Sequence, residues 1–107
     1  MVRMTVVAKV RSEKRAEFLD AMRSLQKDRL MEQGMRGSQV YEYREEPNRF
    51  LVIDEWGTDE DLQRYFRKEG FRILLGALRT LCAEAEVKSN PLRRGKSDLR
   101  LHSMDSV

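Results

Sequence analysis

Residues 50–56 read Phe-Leu-Val-Ile-Asp-Glu-Trp, and no other stretch restricts the fold so tightly. Successive side chains of a β-strand point to opposite faces, so Phe50 and Val52 lie on one side and Leu51 and Ile53 on the other. A strand apolar on both sides needs cover on both faces of its sheet. The chain has 107 residues, enough for one core and not for two. Helices of that single domain can cover one face, and the other must meet water or another subunit. A homodimer formed through the open face is the expected solution. It would also help a short chain that buries only about two thirds of its unfolded surface.

The other elements fall into place around that strand. Met-Thr-Val-Val-Ala-Lys-Val at 4–10 is rich in β-branched types and predicts a first strand. From Glu13 to about Met31, the apolar positions Phe18, Leu19, Met22, Leu25 and Leu30 fall largely on one side of a 3.6-residue repeat. They predict an amphipathic helix with Ser12 as N-cap. Gly34 and Gly37 precede a strand over 38–44 carrying Val40, Tyr41 and Tyr43, and Glu-Glu-Pro-Asn at 45–48 turns it back as a hairpin. Thr58-Asp59-Glu60-Asp61 reads as a helix start, a hydroxyl cap followed by acids where the helix dipole favours negative charge. This second helix carries Leu62, Tyr65 and Phe66, breaks or kinks at Gly70, and resumes with Phe71, Leu74, Leu75, Leu78 and Leu81. Ala83, Ala85 and Val87 then alternate with Glu84, Glu86 and Lys88 in a half-buried strand ended by Asn90-Pro91. The order βαββαβ is the split βαβ arrangement: an α+β domain over 1–90, an antiparallel sheet with helices on one face. Residues 91–107 form a tail that either frays or lies along a sheet edge or on a partner subunit.

Charge argues against several function classes. Lys and Arg number 21 against 18 Asp and Glu, giving +3. The tail, with Arg93, Arg94, Lys96 and Arg100 against Asp98 and Asp105, holds +2 of that. The body is nearly neutral and mixes both signs, without the basic face and interleaved aromatics of a nucleic-acid binder. No apolar run approaches the roughly 20 residues that span a bilayer, so no membrane partner is expected. Cys82 stands alone and cannot form an intrachain disulfide, and the N-terminus lacks signal-peptide character, so a soluble protein of the reducing cytoplasm is expected.

The segment from Phe50 to Leu81, with its strand-ending Glu55-Trp56, Thr58 cap, Phe71 and leucine-rich half-helix, resembles the antibiotic biosynthesis monooxygenase family. Glu17-Phe18 in the first helix and the Gly37–Tyr43 stretch are similar in order and spacing, so the resemblance covers about residues 3–89. It implies a ferredoxin-like fold that dimerises through its sheet, with a pocket in each subunit between sheet and helices. Members with known activity oxidise aromatic polyketides or quinols with oxygen, without flavin, haem or metal. Others degrade haem, and some act on signalling molecules or have no assigned activity. The expected function is therefore cofactor-independent oxidation of a small aromatic or quinol-like compound by oxygen. The alternative is a non-catalytic dimeric module of the same fold that binds a small ligand or a protein.

Within that resemblance the catalytic candidates are Trp56, whose indole N–H could donate to a substrate oxygen, and Tyr65, whose phenol could orient or protonate an oxyanion. Each has a plainer reading, core packing for Trp56 and an amphipathic surface position for Tyr65. Phe66, Phe71, Leu75 and Arg72 are the expected pocket lining, with Arg72 and Arg79 equally able to remain solvated. Asp54 or Glu55 could pair with an arginine, and a carboxylate buried beside Trp56 would be a better base than a free one. Tyr41 and Tyr43 share a strand face and suit an interface. The sequence departs from the family at Gly70, where many relatives carry a histidine just before the phenylalanine matched by Phe71. Haem-degrading relatives need a ligand where this chain has Leu74 and Leu75, so no haem is expected. The single histidine, His102, sits in the tail, and one His with one Cys cannot supply a typical metal site from one chain.

Overall fold

The computed structural model describes residues 1–90 in full and 98–101 as backbone. Strand β1 (Val2–Val10) leads through a 3₁₀ turn (Ser12–Lys14) into helix α1 (Arg15–Arg29), then β2 (Met35–Glu42), β3 (Arg49–Trp56), α2 (Asp59–Phe66), α3 (Glu69–Leu81), β4 (Cys82–Asn90) and β5 (Asp98–Leu101). The strands form one antiparallel sheet in the order β2-β3-β1-β4-β5. At its centre Val6 of β1 faces Val52 of β3 on one side and Val87 of β4 on the other. The fold is the expected ferredoxin-like α+β arrangement with one strand added, since β5 pairs along β4. Residues 91–97 and 102–107, including His102, lie outside the described residues.

Period-2 alternation sorts the sheet into two faces. Val2, Met4, Val6, Ala8 and Val10 of β1 and Phe50, Val52, Asp54 and Trp56 of β3 are buried beneath the helices. Onto them α1 lays Phe18, Met22 and Leu25, and α3 lays Phe71, Leu74, Leu78 and Leu81. On the opposite face Val7 sits beside Leu51 and Thr5 beside Ile53, flanked by Tyr41 and Gln39 of β2. These apolar side chains are only half-buried in the single chain, and Tyr41 is exposed.

Three local expectations are corrected. Ser12 does not cap α1: it opens the 3₁₀ turn, and the position before α1 is Lys14, whose side chain makes no capping bond. The helix thus starts two residues later than expected and stops at Arg29, leaving Leu30 half-exposed beyond it. The break in the second helix is at Arg67 and Lys68 rather than Gly70, which lies inside the first turn of α3. The N–H groups of Arg67 and Lys68 bond back to Arg64 and Tyr65, and extended Lys68 then launches the new helix. Finally, β2 begins at Met35 and ends at Glu42. Tyr43 follows it with an N–H donated to the Arg49 carbonyl, and Asn48, at φ 71, closes the hairpin in the left-handed region that Asn tolerates.

The Thr58 expectation holds: its side chain accepts the Asp61 N–H at the N-terminus of α2. That start is clamped from the other side by Gly34, at φ +89, whose carbonyl accepts the Gly57 N–H at 2.7 Å. A β-carbon on Gly34 would stand 2.2–2.5 Å from the Asp61 side chain. Both conformation and space therefore require glycine. Gly34→Ala is expected to lower the stability measured by urea unfolding by about 2 kcal/mol or more. An unchanged midpoint would show that the junction yields freely.

Candidate active site

The end of β3 delivers Trp56 to the helix side of the sheet, because it continues the inward series Phe50, Val52, Asp54. Leu62 and Tyr65 of α2 are one turn apart, and both are buried. Tyr65 stacks on Trp56 with ring centroids 5.1 Å apart and 29° between planes. Phe71 meets Tyr65 edge-on at 5.6 Å, and Phe66 lies 4.8 Å from Phe71. Four of the six residues named from the sequence thus form one aromatic cluster. Offset pairs of this kind add about 0.5–1.5 kcal/mol each beyond simple burial. Leu75 follows Phe71 by one turn and is half-buried against the core.

Arg72 is corrected. Its side chain is 78 % exposed and pairs with Glu69 along the helix, so it does not line the cluster. A residue directly after Phe71 is rotated about 100° away from the buried stripe. Arg79 is exposed too. Tyr41 and Tyr43 are exposed, and Tyr41, beside Leu51, is on the sheet face away from the helices.

Beside the aromatic cluster lies a polar group that the sequence reading half anticipated. Asp54 is fully buried and pairs with an arginine, whereas Glu55 points to the other face and meets Arg3 at the surface. The partner of Asp54 is Arg29, itself 2 % exposed, with Nε 2.6 Å from Oδ2. That contact is too far off line to count as a hydrogen bond. The Ser38 hydroxyl donates to Asp54 Oδ1 at 2.6 Å, Arg29 Nη2 donates to both of them at 3.3 Å, and Gln26 donates to the Ser38 hydroxyl and carbonyl. Burial raises the Asp54 pKa, with Arg29 and then Ser38 opposing. Arg29 carries a sequence signal of its own: it continues the Phe18, Met22, Leu25 stripe of α1.

Around the cluster, Trp56 Nε1, Tyr65 Oη and Arg29 Nε and Nη1 are buried donors without a hydrogen-bond partner among the described residues. Burial pushes the Tyr65 phenol up to about 12, with nearby Arg29 pulling the other way. Tyr65 therefore stays protonated at neutral pH and can donate but not act as a base. Gly70 adjoins it, since a β-carbon there would be 3.6 Å from Tyr65 Cε1. A histidine at that position, as the family resemblance leads one to expect, would start against the Tyr65 ring. Leu74 and Leu75 offer no ligand atom, and no three His, Cys, Asp or Glu side chains gather as a metal site would need among the described residues.

Comparison with known proteins gives these residues a setting. Residues 1–73 match the family described as antibiotic biosynthesis monooxygenase. A conserved protein from Methanosarcina mazei Go1 is similar at 25 % identity and TM-score 0.77, covering 86 % of this chain and 92 % of that one. An antibiotic biosynthesis monooxygenase-like protein from Deinococcus radiodurans superposes with TM-score 0.79 at 17 % identity, covering 89 % and 95 %. SnoaB, a cofactor-independent oxygenase from Streptomyces nogalater, superposes with TM-score 0.75 at 20 % identity, again covering 89 % and 95 %. At these last two identities the likeness is one of fold. No curated protein matches the sequence.

Two buried acids govern the alkaline limit. The Cys82 thiol is raised by burial from 9.0 to about 12, and the Tyr65 phenol from 10.0 to about 12. Each favours its neutral form in the fold, so its stabilisation is complete below the unfolded value and lost as pH rises towards 12. Unfolding measured against pH should show stability falling from pH 9 upward. In Cys82→Ala the onset should move to pH 10, and adding Tyr65→Phe should flatten the rest, about 2–3 kcal/mol for the phenol. An unaltered profile in the double variant would contradict the assignment.

Proposed function

The chain belongs to the antibiotic biosynthesis monooxygenase family, and from that premise we propose that it oxidises a small aromatic or quinol-like compound with molecular oxygen, without a cofactor, at the Trp56–Tyr65 cluster. The observation that carries this reading is the pair of buried donors, the Trp56 indole N–H and the Tyr65 hydroxyl, left without acceptors on adjacent stacked rings. A buried donor without a partner costs about 1–3 kcal/mol, so such groups persist where a ligand oxygen can use them. Aromatic walls accept a flat ring, and a site closed to water strengthens both hydrogen bonds.

The chemistry follows from the substrate. An electron-rich phenol or enol that has lost its proton can reduce oxygen directly, and donors aimed at its oxygen steady the charge. A reacting CH₂ flanked by phenols becomes a carbonyl. One oxygen atom enters the substrate, the other leaves as water with the two hydrogens, and all four electrons come from the substrate. In this reading Trp56 and Tyr65 hold the ring and its oxygen, and Phe66 and Phe71 exclude water, with Phe66 and Leu75 half-buried at the outer side of the cluster.

A second reading, a non-catalytic module binding a small ligand or a protein, is favoured by Gly70 standing where a histidine base is expected. Oxygen uptake by metal-stripped protein on a panel of quinols, anthrones and phenols separates the two. Protein-dependent uptake is expected, with Trp56→Phe and Tyr65→Phe each lowering turnover about tenfold or more, as loss of a donor to a developing oxyanion does. Uptake equal to a heat-inactivated blank across the panel would favour the binding module.

We also infer that two copies meet through the open sheet face and that the protein resides in the cytoplasm. Val7, Leu51 and Ile53 form the apolar centre of that face, with Tyr41 at its flank. Light scattering at micromolar concentration should give a dimer mass. Ile53→Glu, which puts an unpaired charge in the middle of the patch, should give a folded monomer. A monomeric wild type would end the inference.

A further inference from the structure

Arg29 is not among the residues that the resemblance singles out, and it is an unusual residue to find at the centre of a small domain. A guanidinium carries five N–H donors and no acceptor. Here Nη2 is engaged by Ser38 and Asp54, Nε faces Asp54, and Nη1 makes no well-aligned hydrogen bond among the described residues, although the guanidinium lies within reach of the Tyr65 oxygen. Asp54 cancels the charge at one edge of the group and, with Ser38 and Gln26 behind it, holds the plane still. The other edge has no committed anion. It lies close to Tyr65, on whose phenol Arg29 exerts the largest influence of any charged group. Tyr65 in turn stacks on Trp56. One buried neighbourhood thus holds two unpaired donors, Trp56 Nε1 and the Tyr65 hydroxyl, beside a pre-oriented cation, while Asp54 is occupied by Arg29 and Ser38 and Glu32, farther out, pairs with Lys68.

The complement of such a set is an oxygen that accepts only and carries negative charge. We infer that the site takes its ligand as an aryl oxyanion, the phenolate or enolate of an acidic hydroxy-aromatic compound, and that Arg29 makes this selection, with Asp54 as its positioning residue. The inference takes the location of the site from the reading above but not its oxygen chemistry. It also gives Gly70 a physical sense. A ligand that sheds its O–H proton to bulk water as it binds arrives already ionised, and no histidine is needed to remove the proton afterwards. Arginine suits the task better than lysine, because its planar fork stays charged when buried and its donors are fixed in direction. The aromatic walls decide that the charged oxygen belongs to a ring.

The test uses 4-nitrophenol, whose phenolate is coloured, with the full chain under anaerobic conditions. Trp56 is the only tryptophan, so quenching of its emission reports binding at this site. The bound probe should ionise at least one pH unit below the free probe, equivalent to about tenfold tighter binding of the anion than of the neutral phenol. 4-Nitroanisole, which cannot ionise, should bind about tenfold more weakly or worse on the same grounds. Removing Arg29 alone strands the Asp54 charge and could unfold the chain, so the informative variant is Arg29→Gln with Asp54→Asn, a neutral hydrogen-bonding pair. It should bind phenol and anisole alike and lose the ionisation shift, while Arg29→Lys retains part of it. No binding, a bound probe that titrates with or above the free one, or a shift that survives the neutral pair would each overturn the inference. Should the neutral pair fail to fold, the wild-type comparison of phenol with anisole and the partial shift in Arg29→Lys decide it. Oxygen uptake separates this from the proposed function. A shifted probe without uptake on any substrate retires the monooxygenase and leaves the oxyanion site, whereas uptake with a probe bound neutral does the reverse.

Discussion

A strand whose side chains are apolar on both sides cannot be satisfied by one layer of helices. In β3, Phe50 and Val52 take the helix side while Leu51 and Ile53 take the other, and the rest of the architecture follows from that division. The helices cover one face of the sheet, and the inward series of β3 ends by burying Asp54 and Trp56 beneath them. The candidate site is therefore not a graft on a finished core. It is the end of the core, where the alternating series places one charged and one aromatic side chain among apolar neighbours.

Burying Asp54 makes a demand that shapes α1. An isolated carboxylate in that position would lose far more in hydration than packing returns, so the helix above must present a cation. Arg29 does so from the last turn of α1, where positive charge also suits the helix dipole. A buried pair of this kind adds little net stability over an apolar pair of equal volume. Its retention is better explained by what it orients. It fixes α1 against β3 and β2 through Ser38, and it holds the guanidinium beside Tyr65 of the aromatic cluster.

Much of the fold could be read from the sequence because hydrophobic period is a strong signal over long elements. Phe18, Met22 and Leu25 announced α1, Thr58 announced α2, and the Phe71, Leu74, Leu78 stripe announced α3. What escaped were features set by context. Gly70 looked like a breaker, but the break falls at Arg67 and Lys68, where backbone bonds close the first helix before Phe71 reaches its place in the core. The chemistry of Arg72 suits a pocket, although its rotation from Phe71 puts it outside. Arg29 is hard to read for the opposite reason. A charged residue on an apolar stripe reads as solvated until its partner, 25 positions further on, is brought to it by the sheet.

Gly70 and Arg29 bear on one chemical problem from two sides. Oxidation of a phenol or enol by oxygen is slow chiefly because the neutral molecule is a poor reductant, and removing its proton is the step a protein can most easily promote. A base does this by accepting the proton. A fixed cation does it by lowering the free energy of the anion, and the proton then leaves for water. With Gly70 in the place where a base is expected and Tyr65 held protonated, the carboxylates whose charge reaches the cluster are Asp54 and, from nearer the surface, Glu32, which pairs with Lys68. Asp54 is already committed to Arg29 and Ser38. Both carboxylates are already paired with cations, so the arrangement is better suited to stabilising a charge than to creating one by abstraction.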